Sequence, residues 1–354
     1  MRVDPAAADV GSFHTAICQK EEAIVRMRYI IKRLLMVIPI MIGVVVIVFT
    51  LTYLAPGDPV SIALGEGYTQ EQYDQQAAYM GLDKSFIEQL ITYFVNLITK
   101  GSLGKSYFSV IPIETELATR FPVSAMLGLS GIALTVLIGI PLGVFSAIKQ
   151  YSVLDYTLTT IALIMAAIPG FVLAIFCLVL FSVKLRWLPV GGLETPKSWI
   201  LPIATSAFPG IAGMMRMTRT TMLEVIRQDY ITTARSKGLK ENIIIVKHAL
   251  KNCMIPLITV IGGSVAMVLS GSIISENIFS IRGIGTYMYG GITARDYPVV
   301  MAGVLVTAFI VCVVNILVDI LYAFVDPRIK SIYGTRKVKK KKPSVAPEAK
   351  SGVA

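Results

Sequence analysis

Charged residues are scarce in this sequence. Only 16% of its 354 residues are charged, against about 25% in an ordinary soluble domain, and 55% are hydrophobic. The mean hydropathy is +0.70. This balance excludes a disordered protein and a secreted soluble one.

Cysteine is also sparse, and the few cysteines are scattered along the chain. The four are Cys18, Cys177, Cys253 and Cys312. Their spacing fits neither a disulfide framework nor a set of metal ligands. We interpret them as small apolar fillers, because free cysteines are among the most buried residue types.

Histidine occurs only at His14 and His248, outside the apolar stretches. This scarcity bears on residues 128–131 (GLSG), which in an intramembrane serine protease would hold the nucleophile. Ser130 has no imidazole within reach to accept its proton. A protease is therefore disfavoured, and we interpret Ser130 and its glycine neighbours as a site of close helix packing.

A complete nucleotide-binding loop is missing as well. Residues 99–106 (TKGSLGKS) end like the motif GxxxxGK[ST], but Thr99 occupies the position of its first glycine. If ATP drives this protein, another chain must bind it. We therefore expect no cofactor in this chain.

Long apolar runs without charge are what the sequence has in abundance. Six of them contain at least 18 residues, at 34–57, 121–148, 156–183, 198–215, 252–275 and 297–318. A helix of about 20 apolar residues spans a bilayer. The pattern predicts an all-α membrane protein with six transmembrane helices.

Basic residues are distributed unevenly between the two sides of these spans. The ends of the chain, the turn at Lys149 and the segment 216–251 together carry 24 Lys and Arg, whereas the short loops on the opposite side carry five. Cytoplasmic segments are the basic ones. Both termini are therefore predicted to be cytoplasmic. Membrane topology explains most of the +11 net charge, so this charge does not indicate a nucleic-acid partner.

The apolar runs predict five segments of the chain. They are an N-terminal extension (1–27), a first transmembrane helix (28–57), an extracytoplasmic segment (58–120), a core of five helices (121–326) and a basic cytoplasmic tail (327–354). The core contains a cytoplasmic loop at 216–251. Each gap between spans then has a side of the membrane assigned to it.

Two amphipathic helices are predicted in the extracytoplasmic segment. The first starts at Thr69 and ends at Gly81, and the second is capped by Ser85. The apolar stripe of the second is Phe86, Leu90, Phe94 and Leu97. We expect both helices to pack on the outer face and to contribute to a docking surface, since a loop this long is more often functional than a mere connector.

The inner loop is predicted to form a helix, a glycine turn and a second helix. Its first apolar stripe is Met217, Thr221, Val225 and Ile226. The helical pattern continues through 229–238 (DYITTARSKG) to Gly238, which accepts a left-handed backbone. The second helix, 240–252, has four consecutive apolar residues at 243–246, so part of it must be buried.

Intramembrane charge is limited in the last span to Asp319, with Asn315 on the same helix face. Such groups mark functional sites by default, but Asp319 lies close to the end of the helix. We interpret it as a structural anchor. A secondary carrier or channel, which would work alone, is the main competing class, and the sparse charge disfavours proton or ion coupling.

The inner loop also resembles a known family. Residues 229–238, followed by 248–252 (HALKN), are similar to the EAA loop of ABC-importer permeases of the dipeptide, oligopeptide and nickel branch. Further matching segments are 28–35, 55–59, 81–83, 101–106, 276–279 and 294–298. The sequence departs from the pattern at Thr232 and Thr233, which replace Glu and Ala, and at Arg282, which replaces a proline.

This resemblance implies the architecture of a type I ABC-importer permease in the cell membrane. Its partners would be a paralogous permease, two ATPase subunits that bind ATP and Mg²⁺, an extracytoplasmic binding protein and the bilayer. It would be a transport subunit, not an enzyme. Peptides are the favoured cargo, and a nickel chelate or another small solute is the alternative.

The same resemblance assigns ATPase coupling to the inner loop. The residues concerned are Asp229, Tyr230, Thr233, Ala234, Arg235, Lys237, Gly238, Leu239 and His248. Thr233, Ala234 and Arg235 are expected to face the ATPase, with Gly238 setting the direction in which the chain leaves the helix.

Overall fold

The computed structural model describes residues 31–269 and 271–325, with side chains up to residue 320. The predicted N-terminal extension and basic tail, and with them the two termini, lie outside these residues. The chain forms two units, 33–319 and the two ends 1–32 with 320–354. Of the latter, helical residues 31–32 and 320–325 are described. Every contact below lies within 33–319.

The described residues form helices and no strand. In chain order they are α1 (Ile31–Leu54), α2 (Pro59–Leu64), α3 (Gln70–Met80), α4 (Phe86–Lys100), α5 (Ile113–Ile148), α6 (Val153–Ala167), α7 (Gly170–Cys177) with a π-helical extension (Leu178–Lys184), a 3₁₀ turn (Pro196–Trp199), α8 (Ile200–Ile226), α9 (Asp229–Ser236), α10 (Glu241–Ile243) with a π-helical turn (Ile244–Leu250), α11 (Lys251–Leu269), α12 (Ile273–Ile278), α13 (Ile284–Ala294) and α14 (Tyr297–Val325).

Five helical stretches of the described chain are long and apolar enough to cross a membrane. They are Ile31–Leu54, Ile113–Ile148, Pro196–Ile226, Glu241–Leu269 and Tyr297–Ile320. The bent pair of α6 and α7 makes a sixth if it is counted as one span. The all-α class and a number of spans close to six agree with the sequence.

The third predicted span is not a straight helix. Its two halves, Val153–Ala167 and Gly170–Lys184, meet at an angle of 94°. The break lies at Pro169, which lacks a backbone N–H, and at Ile168, whose ψ of 120° is extended. The sequence predicts one span at 156–183, and the structure divides it into two helices, because Pro169 does more than kink it.

The two predicted helices of the outer segment are present. Thr69 caps α3 and Ser85 caps α4, each in a reciprocal pairing with the side chain three residues later. Gly81 and Gly101 end the two helices in the left-handed region, with φ of 72° and 61°. Capping residues alone located these helices to within a residue.

The turn between α13 and α14 holds the rest of the outer segment in place. Asp296, which is buried, accepts hydrogen bonds from Ser106 Oγ at 2.5 Å and from the backbone N–H of Tyr107 at 3.1 Å. Arg295 lies against Gly57, where a Cβ would come within 0.8 Å of the guanidinium. The structure thereby joins three segments of the family pattern that are far apart in sequence.

Glycines let the two central helices, α5 and α8, approach closely. A Cβ at Gly139 would lie 2.7 Å from Met214 Cβ, and one at Gly143 would lie 2.5 Å from Thr218 Cβ. Gly128 likewise faces Val268 of α11 without room for a side chain. Small residues have this role in membrane helix pairs, which supports the interpretation of the GLSG segment as a packing site.

Asp319 is paired near the end of α14. Its Oδ2 lies 2.9 Å from Nη1 of Arg33 in α1. The contact agrees with a structural anchor. Cys253 is fully buried beside Met222, which agrees with its interpretation as an apolar filler.

Candidate functional site

The inner loop is shorter than the sequence predicted. Helix α8 continues the fourth span through to Ile226, so the stripe at 217–226 belongs to that span. The chain then turns at Arg227 and the extended Gln228, and α9 covers only Asp229–Ser236. A single helix from 217 to 238 was therefore wrong, because periodicity does not reveal a two-residue break between helices that share an apolar pattern.

Two residues of helix α9 are buried against the body of the protein. Ile231 is fully buried and Ala234 is 8% exposed. They join a core cluster with Met222 of α8, Ile244 and Ala249. The expectation that Ala234 faces a partner is corrected by this packing. Its small size lets α9 lie close to its own chain.

The opposite face of α9 and the turn after it are exposed. The predicted residues on this surface are Asp229, Tyr230, Thr233, Arg235, Lys237, Gly238 and Leu239. His248 is only half-buried and lies one element further on, in the π-helical turn. Seven of the nine predicted residues thus form one surface.

The turn that follows α9 depends on a glycine. Gly238 has φ of 74°, and a Cβ there would meet nothing within 4 Å. A side chain at this position would be strained by the backbone alone and not by crowding. Arg235 spans the turn and donates to Glu241 from Nη2 at 2.7 Å and from Nε at 3.3 Å. The hydrogen bond to Glu241 raises the pKa of Arg235.

Asn252 connects the start of α9 to the next span. Its Nδ2 donates to Tyr230 Oη at 2.8 Å and to the carbonyl of His248 at 2.9 Å. Sequence reasoning quoted Asn252 within the motif but gave it no role. Asn252 follows Tyr230 by 22 residues, and no sequence pattern at that spacing predicts a hydrogen bond between them.

The second helix of the loop is buried in part, as predicted. Ile244 and Ile245 belong to the core cluster, whereas Ile243 and Val246 are 42% and 63% exposed. The π-helical turn at Ile244–Leu250 places these neighbours on different sides. The second helix is therefore continuous with the fifth span and shares its burial.

A buried ion pair lies beneath the loop. Arg219 of α8 donates to both carboxylate oxygens of Asp155 in α6, at 2.7 and 2.8 Å. Asp155 is 1% exposed and also accepts from Ser146 Oγ of α5 at 2.5 Å and from the N–H of Tyr151 at 3.0 Å. These contacts join α5, α6 and α8 to one another, about two turns before α8 ends at the loop. Sequence reasoning counted Arg219 among the basic residues of the inner loop, 216–251, and missed this contact.

A second buried carboxylate, that of Glu276, lies nearer the other end of α5, beside a cavity. Glu276 is fully buried and accepts from Ser124 Oγ at 2.7 Å and from the N–H of Thr286 at 2.9 Å. Gly283 and Gly285 leave room for it, since a Cβ at either would come within 3 Å of its carboxylate. The cavity beside it has a volume of about 500 Å³ and is bounded by α5, α7, α8, α11 and α12.

Within the described residues, no group of three or more His, Cys, Asp or Glu side chains has the arrangement of a metal site. The inner loop consists of a short helix with one exposed face, a glycine turn and a second helix, and it follows α8, which the ion pair of Arg219 and Asp155 joins to α6.

The comparisons with known proteins fit this arrangement. The family described as "Binding-protein-dependent transport system inner membrane component" matches residues 139–331, and the family of its N-terminal part matches residues 26–128. The first range includes the whole inner loop, and the second includes α1, α3 and α4.

Two relatives are similar over nearly their whole length. The chain is 37% identical to the oligopeptide transport system permease protein AppB of Bacillus subtilis, with 85% of this chain and 99% of the relative covered. It is 36% identical to the dipeptide transport system permease protein DppB of Escherichia coli, with 86% and 99% covered.

A solved structure shows the same fold. An inward-facing form of the MetNI methionine ABC transporter contains a chain that matches with a TM-score of 0.50 at 18% identity. The match covers 62% of this chain and 100% of the other. At this identity the likeness concerns the fold alone.

Proposed function

The chain belongs to the family of binding-protein-dependent transport system inner membrane components, and from this premise we propose that it imports di- or oligopeptides as a permease subunit. It is a transport subunit of an ABC importer and not an enzyme. Peptide cargo is supported by the two relatives, one an oligopeptide and one a dipeptide permease, at 36–37% identity.

The cavity beside Glu276 is proposed as this chain's half of the translocation path. Glu276 is the one ionisable side chain among the described residues that line it, and its oxygens are engaged by Ser124 and Thr286. Glycine and hydroxyl side chains form much of the remaining wall. Apart from the hydrogen-bonded Glu276, such a wall offers no charged side chain to select a particular cargo side chain, which suits peptides of mixed sequence. A paralogous permease would complete the path.

The exposed face of α9 is proposed as the surface that contacts an ATPase subunit. The observation that carries this proposal is the division of α9 into a buried side, Ile231 and Ala234, and an exposed polar side. Two ATPase subunits would bind ATP and Mg²⁺, and this chain would bind neither. Because packed elements switch between discrete arrangements, movement of α9 would shift α8 and α11 with it.

The orientation in the membrane follows from the basic residues and is part of the proposal. Both termini and Gly238 are cytoplasmic, and Gly67 and Leu193 are outside. Single cysteines at these positions test it with a membrane-impermeant thiol reagent on intact cells. Labelling at 67 and 193 but not at 238 is expected, and labelling at 238 contradicts the orientation.

The cargo is tested on the binding protein that delivers it. Calorimetric titration of the purified extracytoplasmic partner with dipeptides, longer peptides and a nickel chelate should give binding for peptides. The complete transporter in vesicles should likewise take up the compounds that the binding protein binds. Binding of the nickel chelate alone contradicts peptide transport and leaves the family assignment unchanged.

A further inference from the structure

Helix α4 has two apolar faces, and only one of them is covered by protein. The predicted stripe packs with Val45 and Phe49 of α1 and with Met301 and Leu305 of α14. A second row, which we call the α4 stripe, consists of Ile87, Ile91, Val95 and Ile98. Its members are between 50% and 78% exposed. At 3.6 residues per turn they lie on one side of the helix, where a helix in water carries polar residues.

The level of α4 along the spans indicates what surrounds this stripe. The ring of Phe86 lies 5.4 Å from that of Phe49 and 5.0 Å from that of Tyr53. At 1.5 Å per residue, Phe49 lies roughly 7 Å inside the end of α1, and Leu305 lies roughly 12 Å inside the start of α14. Amphipathic helices in the membrane interface bury their apolar face about 5–10 Å into the boundary between headgroups and acyl chains.

Three polar side chains of α4 donate to backbone carbonyls in the helix or in the turn just before it. Thr92 and Thr99 donate to the carbonyls of Glu88 and Val95, both at 2.6 Å. Gln89 donates to the carbonyl of Lys84 at 2.8 Å. An apolar surrounding penalises polar groups that lack such partners. Nothing polar on these residues therefore prevents the helix from lying in lipid.

The neighbouring helix α3 lacks the exposed apolar row that α4 has. Its sequence, QEQYDQQAAYM, is polar through most of its length, and Ala77 is its one buried residue. Tyr79 of α3 is 78% exposed, the same as Ile98 of α4. The two helices belong to one segment, and only α4 combines a continuous exposed apolar row with packing along the spans.

We propose that α4 is an in-plane membrane helix whose stripe contacts the acyl chains of the adjoining leaflet. A soluble binding protein would have to pass below the lipid headgroups to reach this stripe, so the docking role expected for the outer segment is left to α3 and the loops. The inference uses only the membrane insertion of α1 and α14, and it is independent of the cargo.

Nitroxide labels on single cysteines test this in the complete transporter, reconstituted in nanodiscs of phosphatidylcholine and phosphatidylglycerol. The sites are Ile91 and Ile98, with Tyr79, which is as exposed as Ile98, as the control, in a chain whose native cysteines are replaced by alanine. Collisions with dissolved oxygen should exceed those with a water-soluble nickel chelate several-fold at 91 and 98. The reverse is expected at 79.

Two other outcomes overturn the proposal. Free access of the nickel chelate at 91 and 98 means that the stripe faces water, and protection from both reagents means that a protein covers it. A benzophenone amino acid at position 98, with the native cysteines kept, gives an independent measurement. Its photoproduct should carry the mass of a phospholipid, and a crosslink to a protein subunit instead overturns the inference.

Discussion

Two ion pairs near the inner loop have the same geometry and opposite surroundings. Arg219 and Arg235 each donate from Nε and Nη2 to both oxygens of one carboxylate. The side chain of Asp155 is 2% exposed, whereas that of Glu241 is 52% exposed. If one member of the exposed pair is removed, water and ions solvate the other at little cost in free energy. Water and ions cannot solvate the buried Asp155 in this way.

This difference separates the structural base of the loop from its contact surface. Asp155 joins α5, α6 and α8 below the loop, so that the helices move together. The ion pair of Glu241 and Arg235 only connects the two ends of the turn that contains Gly238. We therefore expect changes at the buried pair to affect folding, and changes on the exposed face of α9 to affect the ATPase contact at unchanged stability.

The largest effect is expected when one member of the buried pair is removed. Asp155→Ala or Arg219→Ala leaves an uncompensated charge in the interior and should destabilise the protein by about 3–5 kcal/mol. The measurement is the thermal unfolding midpoint of the purified complex in detergent, together with its yield. The double variant should lose less than the sum of the two single losses. Strict additivity would contradict a coupled pair.

An intermediate effect is expected for Ala234→Trp. A large ring has no room beside Ile231 and Met222, and overpacking of this kind costs about 1–3 kcal/mol. Thr233→Trp, one residue away but exposed, should leave the unfolding midpoint unchanged and reduce copurification of the ATPase. Equal destabilisation by both variants would show that the division of α9 into two faces is wrong.

A smaller effect on stability is expected for Gly238→Val. A β-branched residue at φ of 74° is strained by roughly 1 kcal/mol or more. The chain should still insert in the membrane, but uptake and copurification of the ATPases should fall because the turn changes direction. Gly81→Val is the matched control, since Gly81 also ends a helix, at φ of 72°, with no atom near its Cβ position. It should keep the ATPases.

The smallest effect on stability is expected at the exposed pair. Arg235→Ala and Glu241→Gln should each change the free energy of unfolding by less than about 1 kcal/mol. Both break the same contact, yet only Arg235→Ala removes a cation from the proposed ATPase surface. Copurification should therefore fall more for Arg235→Ala. An equal decrease in copurification for the two variants would assign the effect to loss of the ion pair and not to loss of the cation.

Features that depend on neighbouring residues in the chain were predictable. Thr69 and Ser85 located α3 and α4 because capping involves residues three positions apart. Gly238 was predicted in a positive φ for the same kind of reason. The residues of the family loop were also identified from their order alone, and their coupling role stays a prediction.

Features that depend on packing were not predictable. Arg219 and Asp155 are 64 residues apart, and nothing in either local sequence identifies the other as its partner. Ala234 was expected to face the ATPase together with Thr233 and Arg235, and it packs instead in a core cluster with Met222 and Ile244, which are distant in sequence. A shift of one residue along a helix rotates a side chain by about 100°, which is enough to bury it.

The sequence by itself determined that this protein is an all-α membrane protein, where its spans lie and where its outer helices begin and end. These properties follow from apolar length and from capping, which are local. Only the tertiary structure decided that the third span bends by 94°, that Ile231 and Ala234 of α9 are buried, and that one apolar side of α4 has no protein cover. Burial is a relation between distant segments, and composition and periodicity do not contain it.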